Sequence, residues 1–301
     1  MKVVFLDIDG TLVDYNGNVP ESTKKAILQA KKKGHKMVLC TGRSKFQIPK
    51  KLWELGMDGV IAGSGAFVEA FDSAAEKGIT AAEKEIAAAD ETVSNDSKIT
   101  TKGTILCQMV IDAEHAKSSY DYLEGNGTLY CYQGEDGIVL NQRSRDGMFQ
   151  IDRLNGMSDE MLENLHGVVH VTETPWLVPN LEKIIFYDAP FSLEKIKSDL
   201  LPYFDTVALS LSGTEGVCGE IGRNNIHKAT GIRLFLEHVG VAREDSIAIG
   251  DGPNDLQMME YAGVGVAMGN AKEEVKKLAD MVTSDVVEDG IYHAFEKLGL
   301  I

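Results

Sequence analysis

Short apolar runs alternate with amphipathic stretches through the first seventy residues. Lys2 to Asp7 (KVVFLD) is an apolar run ending on an acid, Lys36 to Cys40 (KMVLC) a second and Asp58 to Ala62 (DGVIA) a third. Such brief runs, with no polar residue at every other position, predict strands covered on both faces. Between them, Pro20-Glu21-Ser22-Thr23 opens a helical stretch through Lys33 with Gly34 as its stop, and a second helix is expected from Ser44 to Leu55. Strand and helix in alternation at this spacing predict a parallel sheet with right-handed crossovers, which binds ligands beyond the carboxyl ends of its strands.

The same grammar returns near the end of the chain. A helix is expected over 225–238, a strand over 245–250 (DSIAIG), a helix over 256–262, a strand over 264–268 (VGVAM) and helices over 273–279 and 291–298. The middle reads as α+β. Strands are expected over 104–111, 128–132, 137–141, 183–187 and 206–211, with helices over 114–123 and 193–201. The stretch 74–96, rich in Ala, Glu and Lys, predicts a solvated helix with a polar tail. No repeat of 20–50 residues is evident.

With 301 residues, the chain has room for a large core plus an insert. Hydrophobic residues make up 44% and charged residues 25%, and no apolar run nears the roughly 18 residues of a membrane span. The acids and glycine of MKVVFLDIDGT interrupt what a secretory leader needs, so the cytoplasm is the expected location. The net charge of −16 disfavours nucleic acid and anionic membranes as partners. Most of that charge lies in residues 112–222, which hold 7 basic and 19 acidic side chains and read as a solvated surface. A monomer, or at most a weak homo-oligomer, is expected. The four cysteines (Cys40, Cys107, Cys131, Cys218) form no CxxC pair and read as reduced, buried thiols.

Candidate chemistry gathers at predicted strand ends. Asp7-Ile8-Asp9-Gly10-Thr11 follows the first strand directly. Two acids there suit a hard cation such as Mg²⁺, and one of them suits attack on phosphorus. Thr41-Gly42 after the second strand reads as an anion site or a plain helix cap, and Arg43 as a phosphate clamp or a solvent-facing side chain. Gly250-Asp251-Gly252-Pro253-Asn254-Asp255 forms a second acidic crest, where carboxylates repel unless a cation lies between them. Lys228, just ahead of an apolar helix, reads as a partner for a carboxylate or as an ordinary solvated lysine. His166 and His170 flank a strand-like GVV without a zinc signature, and the chain has no P-loop and no G-x-S-x-G elbow.

DIDGT at 7–11, Thr41-Gly42-Arg43, Lys228 and GDGPNDLQMM at 250–259 resemble, in order, the four motifs of the haloacid dehalogenase superfamily of phosphohydrolases. The tail VAMGNA at 266–271 and Glu288-Asp289-Gly290 also resembles that of its Cof-type group with the large type B cap. The resemblance implies an α/β fold, a Rossmann-like doubly wound parallel sheet core with an inserted α+β cap. It puts the core at 1–111 and 223–301 and the cap at 112–222, with 74–102 an insertion in the hairpin leading to the cap. It implies a phosphatase acting on small phosphorylated metabolites, sugar phosphates or phosphorylated cofactors. Asp7 would be the nucleophile and Asp9 the general acid and base. Mg²⁺ would lie on the Asp7 carboxylate, the Asp9 carbonyl and Asp251, with Asp255 orienting its waters. Thr41, the Ile8 and Gly42 amides, Arg43, Lys228 and Asn254 would hold the phosphate. The chain departs from the family in Ser64-Gly65, where Asn-Gly is usual, and in Lys228-Ala229, where Lys-Gly is usual. A phosphomutase or a non-catalytic phospho-ligand sensor on the same fold is the alternative.

Overall fold

The computed structural model describes residues 1–14, 16–71, 103–135, 137–154, 168–209 and 216–301. The helix expected over 74–96, the insertion 74–102 and His166 lie outside the described residues. β1 (Val3–Leu6) is buried at every position, as a strand sandwiched between helices must be. α1 (Glu21–Lys32) buries Thr23, Ala26, Ile27 and Ala30, a stripe at helical spacing, and Gly34 follows with φ of +85°. β2 (Lys36–Cys40) comes next. The helix expected from Ser44 to Leu55 is broken: a 3₁₀ turn at Lys45–Gln47 gives way to α2 (Lys50–Trp53), because Pro49 cannot continue the first turn. β3 (Gly59–Ala62) is parallel to β2.

The parallel pattern stops there. β4 (Phe67–Ala70) and β5 (Thr104–Gln108) turn back as antiparallel neighbours, so the strand first grouped with the middle block belongs to the edge of the large sheet.

A second sheet follows. Its elements are α3 (Ala113–Gly125), β6 (Leu129–Gly134), β7 (Gly137–Leu140), α4 (Gln142–Leu154), β8 (Val169–Val171), β9 (Leu181–Ala189), α5 (Leu193–Leu200), β10 (Phe204–Leu209) and β11 (Val217–Arg223). Asp112 and Ser192 cap α3 and α5 by accepting backbone N–H bonds. The strand order is β10-β11-β9-β6-β7-β8. β8 begins in the strand-like GVV between His166 and His170, whereas α4 and β11 are additions to the sequence reading, the two glycines of Val217–Arg223 weakening the signal for that last strand. One face of the sheet carries Tyr130, Tyr132, Ile184, Phe186 and Ile221, packed against Ala116 and Leu123 of α3 and Ile196 of α5.

The chain then returns to the first sheet through α6 (Lys228–Val239), β12 (Ser246–Gly250), α7 (Leu256–Tyr261), β13 (Val264–Ala267), α8 (Glu273–Leu278), β14 (Met281–Val282) and α9 (Gly290–Lys297). α6 starts three residues later than expected, because Asn225 takes φ of +63° and His227 is extended, which leaves Lys228 as its first residue. The completed order is β14-β13-β12-β1-β2-β3-β4-β5, parallel from β14 to β3. Ala26 and Ile27 of α1 and Phe295 of α9 pack on one face with Val4 and Leu6, while Phe235 of α6 and Met258 of α7 pack on the other with Val3 and Phe5. The doubly wound core is therefore present. Cys40, Cys131 and Cys218 are buried, Cys107 is half-buried and all four are free thiols. Among the described residues, no helix is long and apolar enough to cross a membrane.

Candidate active site

β1 and β12 are parallel neighbours, so the residues that follow them emerge side by side: Asp7 after Leu6 and Asp251 after Gly250. The Asp7 N–H donates to the Ile249 carbonyl at 3.0 Å, which extends the ladder to the first acid. Gly10, with φ of +78°, turns the chain beneath the Asp251 carboxylate, and a Cβ there would collide with it. Thr11 then donates its hydroxyl to Asp251 Oδ1 at 3.2 Å.

Lys228 enters from the start of α6 and is wholly buried, with Nζ 2.6 Å from Asp7 Oδ1 and 2.5 Å from Asp255 Oδ1. The other oxygen of Asp255 accepts the N–H groups of Asp251 and Gly252, both at 2.9 Å. Burial pushes the Asp7 carboxyl up to about 8, with Lys228 opposing and the Asp255 charge adding to the rise. Burial likewise raises Asp251 to about 6. For Lys228 burial acts downward, but the Asp255 and Asp7 carboxylates outweigh it and hold the ammonium above its ordinary range.

Oxygens of Asp7, Asp251 and Asp255 lie within 4.8 Å of one another. Asp255 has both oxygens committed to protein donors, whereas the bonds to Lys228 and Thr11 occupy only Oδ1 of Asp7 and Oδ1 of Asp251. A pair of hard carboxylates with one ammonium beside them and an excess of negative charge fits a divalent cation such as Mg²⁺.

Asp7, Asp9, Thr41, Gly42, Arg43, Asp251 and Asn254 line one cavity of about 300 Å³. Ile8 lies with its side chain in the core and is not among the residues lining that space. Lys228 borders an adjoining cavity that shares Asn254 with the first. Within the first cavity Arg43 is already engaged: Nε and a terminal nitrogen hold both oxygens of Asp9 at 2.8 and 2.6 Å, and a second terminal nitrogen donates to the Gln47 carbonyl. Its backbone N–H donates to Thr41 Oγ1 at 3.1 Å.

The opposite wall belongs to the second sheet and was absent from the sequence reading. Lys183 of β9 donates to the Gly42 carbonyl at 2.5 Å and to Glu220 of β11 at 2.7 Å. Glu220 also accepts the Ser64 hydroxyl at 3.1 Å, so the residue that departs from the family pattern ties the two sheets together. Gln133, Ile185 and Leu209 complete the wall. A signal did exist, since a Glu-Lys pair standing inside the apolar run Leu181–Ala189 is out of place unless the charges have partners.

A family model described as haloacid dehalogenase-like hydrolase matches residues 4–93 and 82–295. The Bacillus subtilis (strain 168) protein YkrA is 31% identical over 308 residues, spanning 100% of this chain and 98% of its own. Phosphatase YwpJ of the same strain is 24% identical over 314 residues, spanning 99% of this chain and 100% of its own. Among solved structures, a phosphatase of the haloalkanoate superfamily from Bacteroides thetaiotaomicron superposes with a TM-score of 0.76 at 24% identity, covering 100% of this chain and 96% of that one.

Proposed function

The chain belongs to the haloacid dehalogenase-like hydrolases, and on that footing we propose that it is a Mg²⁺-dependent phosphatase that hydrolyses small phosphate monoesters through an aspartyl-phosphate. One observation carries the reading: Asp7 and Asp255 hold a single buried ammonium, an Asp251 oxygen lies within 4.8 Å of theirs, and Asp7 and Asp251 line a cavity of small-metabolite size. YwpJ, named a phosphatase, is similar along its whole length. The division of labour is a core of residues 1–111 and 223–301 that performs the chemistry and a cap of residues 112–222 that covers it.

Asp7 attacks phosphorus, and the bond to the ester oxygen breaks as Asp9 gives that oxygen a proton, releasing the alcohol. Asp9, now a carboxylate, takes a proton from water. The resulting hydroxide attacks phosphorus, the Asp7–phosphorus bond breaks and inorganic phosphate leaves. The Asp7 carboxylate, the Asp9 carbonyl and Asp251 would hold Mg²⁺, which when bound offsets charge on the phosphoryl oxygens. Asp255 keeps Lys228 and the Asp251 backbone in place. Thr41, the Ile8 and Gly42 amides, Lys228 and Asn254 receive the phosphate oxygens, so the work is mostly positioning and charge neutralisation. Arg43 begins on the Asp9 carboxylate, and that pair has to part before Asp9 can take up from solvent the proton it gives to the ester oxygen. An arriving phosphate competes for the guanidinium in the required way.

The test is hydrolysis of p-nitrophenyl phosphate with Mg²⁺, with EDTA and with Asp7→Asn. Turnover lost under both treatments is expected. Full turnover by Asp7→Asn would remove Asp7 from the nucleophile's role.

A further inference from the structure

We infer that Gln133 reads the leaving group and selects an alcohol that carries a further hydroxyl. The inference rests on the phosphatase reading above and extends it to the substrate's other half. In the antiparallel pairing of β6 with β9, Gln133 stands directly opposite Lys183, and in that of β11 with β9, Glu220 stands opposite Ile185. Directly paired residues, and residues two apart on one strand, share a face. Gln133, Lys183, Ile185 and Glu220 therefore form one surface, and all four line the cavity that holds Asp7 and Asp9.

The polar groups on that surface differ in one respect. Lys183 is engaged with Gly42 and Glu220, and Glu220 with Lys183 and Ser64. Gln133 is only 6% exposed, and among the described residues its buried Oε1 finds no hydrogen-bond donor. A buried acceptor without a donor is costly and rare, and in a binding cavity the natural donor is the ligand. A hydroxyl fits. An ammonium in that position would face the Lys183 charge, whereas a carboxylate or second phosphate would bring a further acceptor against Oε1 and the Glu220 carboxylate. Ile185 and Leu209 flank the space with apolar surface for a carbon chain. The cavity's 300 Å³ lies at the small end of the roughly 300–1,000 Å³ typical of ligand sites, which favours a short polyol over a large phosphorylated cofactor.

The experiment compares kcat/KM for glycerol 1-phosphate and sorbitol 6-phosphate, each an ester of a polyol, with that for p-nitrophenyl phosphate, whose leaving group has no second donor. Wild type, Gln133→Leu and Gln133→Glu are measured, and melting temperatures verify folding. Gln133→Leu should lose about 10- to 100-fold on the polyol esters, mainly through KM, and several-fold less on p-nitrophenyl phosphate. Gln133→Glu, which keeps an acceptor, should retain most of the polyol preference. Calorimetric titration of sorbitol 6-phosphate into Asp7→Asn and Asp7→Asn/Gln133→Leu should show Kd weakened by a similar factor. Equal losses on all esters, or a glutamate variant as poor as the leucine one, would overturn the inference and leave the phosphatase reading standing. Wild-type protein that hydrolyses none of them with Mg²⁺ would remove both.

Discussion

The Lys183 ammonium of the cap sheet donates to the Gly42 carbonyl of the core at 2.5 Å, across 141 residues of sequence. The peptide it grips is also held from its N–H side, since the Arg43 N–H donates to Thr41 Oγ1. With that oxygen accepting a backbone bond, the Thr41 hydroxyl proton is left to point elsewhere. The cap thus helps shape the loop proposed to hold the phosphate, and removing Lys183 should loosen it. Lys183→Met is expected to lower kcat/KM for p-nitrophenyl phosphate by about 10- to 100-fold, with Lys183→Arg recovering part of the loss. Steady-state kinetics on both variants decide it, and a wild-type rate for Lys183→Met would show that the loop needs no help from the cap. The double variant Lys183→Met/Glu220→Gln should cost less than the sum of its parts, because each single change strands a buried charge.

Lys228 balances two carboxylates inside the protein. Lys228→Met leaves Asp7 and Asp255 facing each other unpaired, which should destabilise the fold by about 3–5 kcal/mol in urea unfolding with EDTA present. The loss should be larger at pH 8 than at pH 5, where Asp7 can take up a proton. A variant as stable as wild type at pH 8 would mean that the trio holds nothing together.

Cation binding must displace protons from the raised carboxyls. Asp251 titrates near 6 and Asp7 near 8, so between pH 6 and 8 Mg²⁺ should bind more tightly as pH rises, by up to about tenfold per unit for each proton released. Calorimetry at pH 6, 7 and 8 reads this directly. A flat affinity would show that the ion does not meet Asp7 or Asp251.

Glu182, beside Lys183 on β9, is 1% exposed. Burial pushes its carboxyl up to about 7, against the pull of the Ser44 hydroxyl and the Lys183 ammonium. The folded state therefore holds a proton there that the unfolded chain releases at lower pH. That contribution is complete below the unfolded pKa of about 4.5 and is lost as pH rises toward 7. Glu182→Gln should match wild type in melting temperature at pH 5 and exceed it at pH 8. Parallel melting curves across that range would contradict the burial argument.

Much of the core and half of the candidate site were legible in one dimension. Unbroken apolar runs such as Val3–Leu6 and Ser246–Gly250 can only be interior strands, and the acids that follow them must emerge at the sheet's carboxyl edge. Local signals failed where a neighbour overrode them: at Pro49 inside an otherwise helical stretch, at Asn225 ahead of Lys228 and at the glycine-bearing strand Val217–Arg223.

Chemistry written in adjacent residues, such as Asp7-Ile8-Asp9-Gly10-Thr11, survives translation into structure because a strand end and a tight turn are set by their own few dihedrals. Partnerships do not. Lys228 meets Asp7 across 221 residues, Arg43 pairs with Asp9 within the cavity, and Gln133 comes to stand opposite Lys183 through strand register alone. Each of these depends on which strands pair and in what register, a choice made by the burial of two whole sheets and visible in no local stretch of chain.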